Sequence, residues 1–437
     1  MGERLLVSLK RIYHKYSQSC IMRMVNSIYM NGTVFGQWRA DYKLKKMSRQ
    51  MAYDKKPNQK IVVVFLCQNT KIWSKLEAVY EAMRRNERLE PYILVIPEES
   101  GKAPEDNLTY FYNRYQDRAL DCRDGEQGKM ISLRALHPQY VFYQRPYDQY
   151  LPEEYRSAAV CKYAKTCYID YGYEFSKSTK EISFEKKFFR NIYLFFAENR
   201  GIAAFNHERM KRSHNGGYRK SVYCGYPAFE NFHNVKKRLD ENISQTSNAQ
   251  KTVIWTPRWS EDRSMGGSNF FTFKDQMIAY FSKRQDTRFI FRPHPLTFSH
   301  FVSIGRMTDK DVEEYLANYQ TENMIYDADP DYAEKFWASD VLVTDFSSVL
   351  VEYLLTGKPV IYCDLGAEFD DGSKSLLDAM YIAKSWEDVK EYLDMLLAGE
   401  DPLQDKRKQI VREQFGDSFD TISDCICKMI EDDFVGR

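Results

Sequence analysis

A chain of 437 residues exceeds what one ordinary core encloses, and 43% hydrophobic with 15% aromatic residues supplies apolar material for two packed domains. The net charge of +1 leaves no overall basic field for nucleic acid, and no apolar run reaches the roughly 18 residues that read as a membrane-spanning helix. Nine cysteines, scattered without a Cys-x-x-Cys pair, argue for reduced core residues and against a disulfide framework or zinc site.

The near-neutral total conceals an asymmetry. Residues 1–60 hold 13 Lys and Arg against 3 Asp and Glu, which leaves 50 against 59 in the remainder. Leu5, Leu6, Leu9, Ile12, Tyr13 and Tyr16 follow helical spacing, with Arg4, Lys10, Arg11 and Lys15 around them. The pattern resumes with Ile21, Met22, Val25, Ile28 and Tyr29 and stops at Asn31-Gly32. Such a basic amphipathic helix either lies in an anionic membrane surface or packs its apolar face on the body of the protein. The chain opens without a long apolar run or a small-residue cleavage site, so a cytoplasmic location is expected.

Past residue 60 strand and helix patterns alternate. Ile61 to Cys67 is a nearly unbroken apolar run, followed by a helical pattern from Ile72 to Met83 and a strand at Tyr92 to Ile96. Further strands are predicted at Tyr140 to Tyr143, Thr166 to Ile169 and Ser221 to Cys224. The polar, lysine-rich stretch from Asn234 to Lys251 reads as a linker. The alternation restarts with Thr252 to Thr256, a helix over 270–283, and strands at Arg288 to Phe291, Met324 to Tyr326, Val341 to Thr344 and Val360 to Cys363. This predicts an α/β protein of two Rossmann-like, doubly wound parallel-sheet domains facing a central cleft. The expected division is a basic helical arm over 1–58, a first domain over 59–235 and a second over 236–437, its last helix able to cross back.

Ligands of such sheets bind beyond the carboxyl ends of the strands, so strand-end motifs carry the functional reading. After Val341 to Thr344 come Asp345, Ser347 and Ser348 and then a helix, whose free N–H groups and hydroxyls suit a phosphate or diphosphate. The alternative is that Asp-Phe-Ser-Ser only caps that helix. Glu352, one turn deeper, is placed to accept hydrogen bonds from ligand hydroxyls. Pro257-Arg258 follows the first strand of the second half, and Arg292-Pro293-His294-Pro295 the next. An arginine fork matches phosphate oxygens, and a histidine beside a diphosphate can offset leaving-group charge or donate a proton. In the first half, Asp170-Tyr171-Gly172 ends a strand facing these groups.

The order Thr-Pro-x-Trp, Arg-x-His-Pro and Thr-Asp-Phe-Ser-Ser with an acidic residue four later resembles the CDP-glycerol glycerophosphotransferase family, mainly over Ser221 to Cys363. The resemblance implies a GT-B fold with no cofactor and no metal. It implies transfer of glycerol phosphate from CDP-glycerol, or a similar nucleotide donor, to a hydroxyl of a lipid-linked or glycan acceptor. The product would be a teichoic-acid- or capsule-like surface polymer, made by a peripheral enzyme on the inner face of the cell membrane. Carried over, Ser347 and Ser348 hold the diphosphate and Glu352 the ribose. Arg292 and His294 lie by the reacting phosphoryl group, Pro257 and Arg258 by the nucleotide, with Asp345 and Gly172 completing the binding set.

Two positions depart from the family. Tyr171 stands where the family's Trp-His-Gly-Thr-Pro motif places a histidine base, and Gly225-Tyr226-Pro227-Ala228 lacks the arginine of Gly-Tyr-Pro-Arg. A neutral phenol is a poor base, which leaves Asp170 or Tyr171 to face the acceptor beside His294. A sugar-nucleotide glycosyltransferase of the same fold, and a non-catalytic nucleotide-binding scaffold, remain alternatives.

Overall fold

The computed structural model describes residues 40–51, 59–97, 107–124, 129–176, 187–211, 219–241, 250–329, 331–416 and 419–436. The amphipathic run from Leu5 to Tyr29 lies outside them.

Seven parallel strands form the first sheet: β1 (Ile61–Cys67), β2 (Leu89–Val95), β3 (Ala119–Asp121), β4 (Tyr140–Tyr143), β5 (Lys165–Ile169), β6 (Leu194–Phe196) and β7 (Lys220–Val222), in the order β3-β2-β1-β4-β5-β6-β7. Six form the second: β8 (Lys251–Thr256), β9 (Thr287–Phe291), β10 (Met324–Tyr326), β11 (Val341–Thr344), β12 (Val360–Cys363) and β13 (Tyr381–Ala383), ordered β10-β9-β8-β11-β12-β13. The central strands are apolar throughout because helices cover both faces: in β1 only Val62 escapes full burial, and β11 and β12 are buried end to end. In both sheets strand order reverses beside the first strand, between β1 and β4 and between β8 and β11. A crevice opens at each reversal.

The two lobes are packed on one another. Phe175, after β5, lies 4.6 Å from Phe346 and 5.1 Å from Phe369, and its carbonyl accepts the N–H of Asp370 at 2.8 Å. Trp337 stacks on Phe232 at 4.8 Å and donates to its carbonyl at 2.8 Å. The closing helix Ile422–Val435 returns to the first sheet, where Asp433 accepts from Tyr140 (2.8 Å), Lys165 (2.7 Å), Tyr193 (2.9 Å) and Lys220 (3.0 Å). Gly225, with φ of +101°, makes this return possible, since a Cβ there would sit 2.7 Å from Ile422.

Part of the basic arm is core. In the helix over 40–51, Leu44 and Met47 are buried, and Asp41 pairs with the buried Arg219 at 2.9 Å. The helix Pro227–Glu241 runs through the start of the stretch read as a linker, because Val235 and Leu239 extend its apolar face. The strands β3, β6 and β13, of three residues each, went unpredicted. Among the described residues no helix is long and apolar enough to cross a membrane.

Candidate active site

Asp345 ends β11 and is fully buried. It accepts the N–H of Arg258 (2.8 Å), the N–H of Asn269 (3.2 Å) and the Asn269 amide (3.0 Å). Burial outweighs these bonds and raises its pKa to about 6. Asp345 therefore ties the ends of β8 and β11 together and sets the turn; it does not open onto the cleft.

The next residues do. Ser347 and Ser348 are half-buried, and Ser348, the residue before the helix Val349–Leu354, makes no side-chain capping bond. Ser348 therefore does not cap this helix through its side chain. Across the cleft Gly172 approaches so closely that a Cβ there would lie 3.7 Å from the Ser348 hydroxyl. The strand-end loop of the first lobe thus meets the helix start of the second.

Three cations are linked to this turn, Arg258 directly and Lys71 and Arg292 by way of His294. Arg258 donates to the Phe346 carbonyl, and its Nε–H is buried with no partner. Arg292 is anchored by Asp327, donates to the Asp329 carbonyl at 2.7 Å and lies 5.2 Å over the Tyr332 ring. Lys71, half-buried in the 3₁₀ turn Thr70–Lys75 that follows β1, has its pKa lowered by burial and by the charge of Arg292. Lys71 was not anticipated. The polar run Gln68-Asn69-Thr70-Lys71 at a strand end was its only sequence signal.

His294 sits among them. Its N–H donates to the Pro257 carbonyl at 3.3 Å, and its Nδ1 accepts the Leu296 N–H at 3.1 Å. Pro257, itself buried, thus serves as backbone support. With Nδ1 accepting, the neutral ring carries its proton on Nε2. Enclosing protein, then the charges of Arg258 and Lys71, lower the pKa to about 4. The ring is open to solvent in the cleft, which tempers the first effect and leaves the direction intact: the imidazole is a neutral N–H donor at neutral pH.

Glu352 is occupied. Its carboxylate is buried, one oxygen paired with Lys75 of the first lobe and the other with the Tyr332 hydroxyl, while Lys75 also reaches Tyr332 at 2.6 Å. A ribose would have to displace one of these partners.

On the first-lobe side, half-buried Asp170 accepts from the Tyr168 hydroxyl at 3.2 Å and from the Gly172 N–H at 3.5 Å. The Tyr171 hydroxyl bonds that of Tyr147 at 2.7 Å, and burial and this neighbour push its pKa well above the ordinary phenol value. Tyr171 stays neutral. The site thus offers cations, neutral N–H donors and a helix start to a diphosphate, with a carboxylate opposite.

Residues 181–423, more than half of the chain, match the family described as CDP-Glycerol:Poly(glycerophosphate) glycerophosphotransferase. Among solved structures, a histidine-to-alanine variant of the wall teichoic acid polymerase TagF superposes with a TM-score of 0.55 at 17% identity, over 95% of this chain and 97% of that one. The same polymerase soaked with CDPG, a histidine-to-asparagine variant, gives 0.51 at 15% identity, over 95% and 96%. A UDP-GlcNAc 2-epimerase from Neisseria meningitidis bound to UDP-GlcNAc gives 0.53 at 10% identity, over 85% and 100%. At these identities the likeness establishes the two-lobed GT-B fold. No curated protein matched the sequence.

Proposed function

Because the chain belongs to the CDP-glycerol glycerophosphotransferase family, we propose that it transfers a glycerol-phosphate or related polyol-phosphate unit from a CDP-activated donor to a hydroxyl acceptor. The acceptor would be a lipid-linked or glycan chain of a teichoic-acid- or capsule-like polymer. The observation that supports this reading is that Arg258 binds the Phe346 carbonyl just before Ser347 and Ser348 and neighbours His294, which Lys71 and, beside it, Arg292 flank in turn.

The acceptor oxygen attacks the donor's β-phosphorus, the bond to the bridging oxygen breaks, and CMP leaves with the electron pair. The helix N–H groups and the two serine hydroxyls hold the diphosphate, and Arg258 and Arg292 neutralise its charge. His294 donates its Nε2–H to the phosphate oxygen on which charge develops, as a donor already held in place by its Leu296 bond. Asp170 takes the acceptor's proton, and Tyr171 and Gly172 line the acceptor side. Glu352 binds the ribose once released from Lys75 or Tyr332. No metal is required, so the rate is expected to survive EDTA. The enzyme would act on the cytoplasmic face of the membrane, held by the arm; deleting residues 1–30 is expected to release it from anionic vesicles, and undiminished binding would contradict that role.

The test is incubation with CDP-glycerol, CDP-ribitol and UDP-sugars, with CMP and UDP followed separately. CMP release that requires a hydroxyl acceptor supports the reading. The fold shared with a UDP-GlcNAc-bound epimerase favours a second one, a sugar-nucleotide transferase, which UDP release would support. A scaffold would bind nucleotide and release neither.

A further inference from the structure

The proposed reaction leaves one buried carboxyl behind Asp170 unexplained. Glu198 follows β6, whose Phe196 pairs with Ile169 just before Asp170, so the two acids stand on adjacent strand ends. Glu198 is 2% exposed, and neither carboxylate oxygen has a hydrogen-bond partner. Burying an ionised carboxylate without a partner is costly, and buried polar atoms are nearly always satisfied. The groups that face it are acids and phenols: Asp170, Glu174 and Tyr173 on the β5 loop, and Tyr226 before the helix Pro227–Glu241. Among the described residues no three His, Cys, Asp or Glu side chains are grouped to hold a metal ion, so the cluster is not a cation cage.

Burial, then the charge of Asp170, push Glu198 well above the usual carboxyl range; the N–H groups of Glu198 and Glu174, outside hydrogen-bond geometry, offset part of the rise. Two like charges side by side repel, so the first proton taken up by the ionised pair is held more tightly than by either acid alone. That shifts the pair's upper ionisation toward the working pH, where a general base is most effective.

Resting on the transferase reading, we propose that Glu198 is a positioning residue acting through Asp170: the ionised pair takes the proton of the attacking hydroxyl at Asp170 and shares it with Glu198. The acceptor oxygen bonds to the β-phosphorus, CMP departs with the electrons of the broken bridge, and the proton passes to Asp170 and later to water. The pair supplies the base that the histidine missing at Tyr171 would have provided. Its place fits, since the same loop carries Gly172 against Ser348.

The test combines pH–rate profiles with an infrared titration of the carboxyl band. In the wild type the rate rises with pH through the pair's upper ionisation. Glu198→Gln is expected to lower kcat about 10²-fold and move that limb toward the ordinary carboxylate range, with donor affinity unchanged; Glu198→Asp keeps the limb. Retention of limb and rate by Glu198→Gln overturns the proposal. Should Glu198→Gln fail to fold, Asp170→Asn decides, because it removes the repulsion and must lower the pH at which the protonated carboxyl band disappears; an unmoved band overturns the pair. Wild-type protein that shows the titrating band but releases no CMP from any CDP donor would bring down the transferase reading instead.

Discussion

Replacing Lys75 by Met strands the Glu352 carboxylate between the lobes. The two side chains are 8% and 3% exposed, so water cannot take over the lost partner. Removing one member of a buried ion pair costs about 3–5 kcal/mol. The Tyr332 hydroxyl remains on the other carboxylate oxygen, and a hydrogen bond to a charged group retains roughly 1.5–3 kcal/mol, which places the loss near the lower end, about 3 kcal/mol. Glu352→Gln leaves the Lys75 ammonium in the reverse predicament, with a neutral amide and Tyr332 around it. In Lys75→Met/Glu352→Gln neither charge is buried, so the double variant should lose less than the sum of the singles. Urea unfolding of all four proteins closes a double-mutant cycle, and a coupling of about 2 kcal/mol or more is expected for groups in direct contact. Costs that add to within about 0.5 kcal/mol would show that the pair does not join the lobes in solution.

His294→Ala is expected to lower CMP release roughly 10²- to 10³-fold with the circular dichroism spectrum unchanged, as for loss of one preorganised donor; an undiminished rate removes His294 from the mechanism. Asp433→Asn should cost about 3–5 kcal/mol by calorimetry, because it leaves buried Lys165 unpaired. Although burial opposes it, Lys165 and the neighbouring donors hold the Asp433 carboxyl below its usual range, so its stabilisation is present above the unfolded pKa and lost on acidification through the folded one. The variant's melting temperature should accordingly depend less on pH below about 4 than that of the wild type, and parallel curves would contradict this. Asp345 has the opposite sign: with its folded pKa raised to about 6, its contribution is full below the ordinary carboxylate value and falls as pH rises through 6. Asp345→Asn should flatten the melting curve between about pH 4 and 6 and weaken CDP-glycerol binding through the displaced Arg258, and unchanged affinity would show that the turn holds without it.

Five strands were legible as short, nearly continuous apolar runs, including the partly exposed edge strand Met324–Tyr326. Ile61–Cys67, Tyr140–Tyr143, Met324–Tyr326, Val341–Thr344 and Val360–Cys363 coincide with the observed strands. At β2 the structure adds Leu89, Glu90 and Pro91 before the anticipated start, since a proline inside a run reads as its boundary. Strand-end motifs singled out Arg258, Arg292, His294 and the two serines as candidates, because an arginine or histidine there has few structural uses. Lys71, Lys75, Tyr332 and Glu198 carry no motif. Their meaning comes from what faces them across the cleft or on the next strand, which sequence spacing does not encode. Asp345 illustrates the converse, a residue in a candidate strand-end motif that faces inward.

A CDP-linked diphosphate is expected to dock at the helix start after Phe346. A crystal structure of the protein with CDP-glycerol tests it most directly. Phosphate oxygens should lie within hydrogen-bonding reach of the Ser347 and Ser348 backbone and hydroxyls, flanked by Arg258 and the Nε2 of His294. A nucleotide bound elsewhere, with these four groups left facing water, would contradict it.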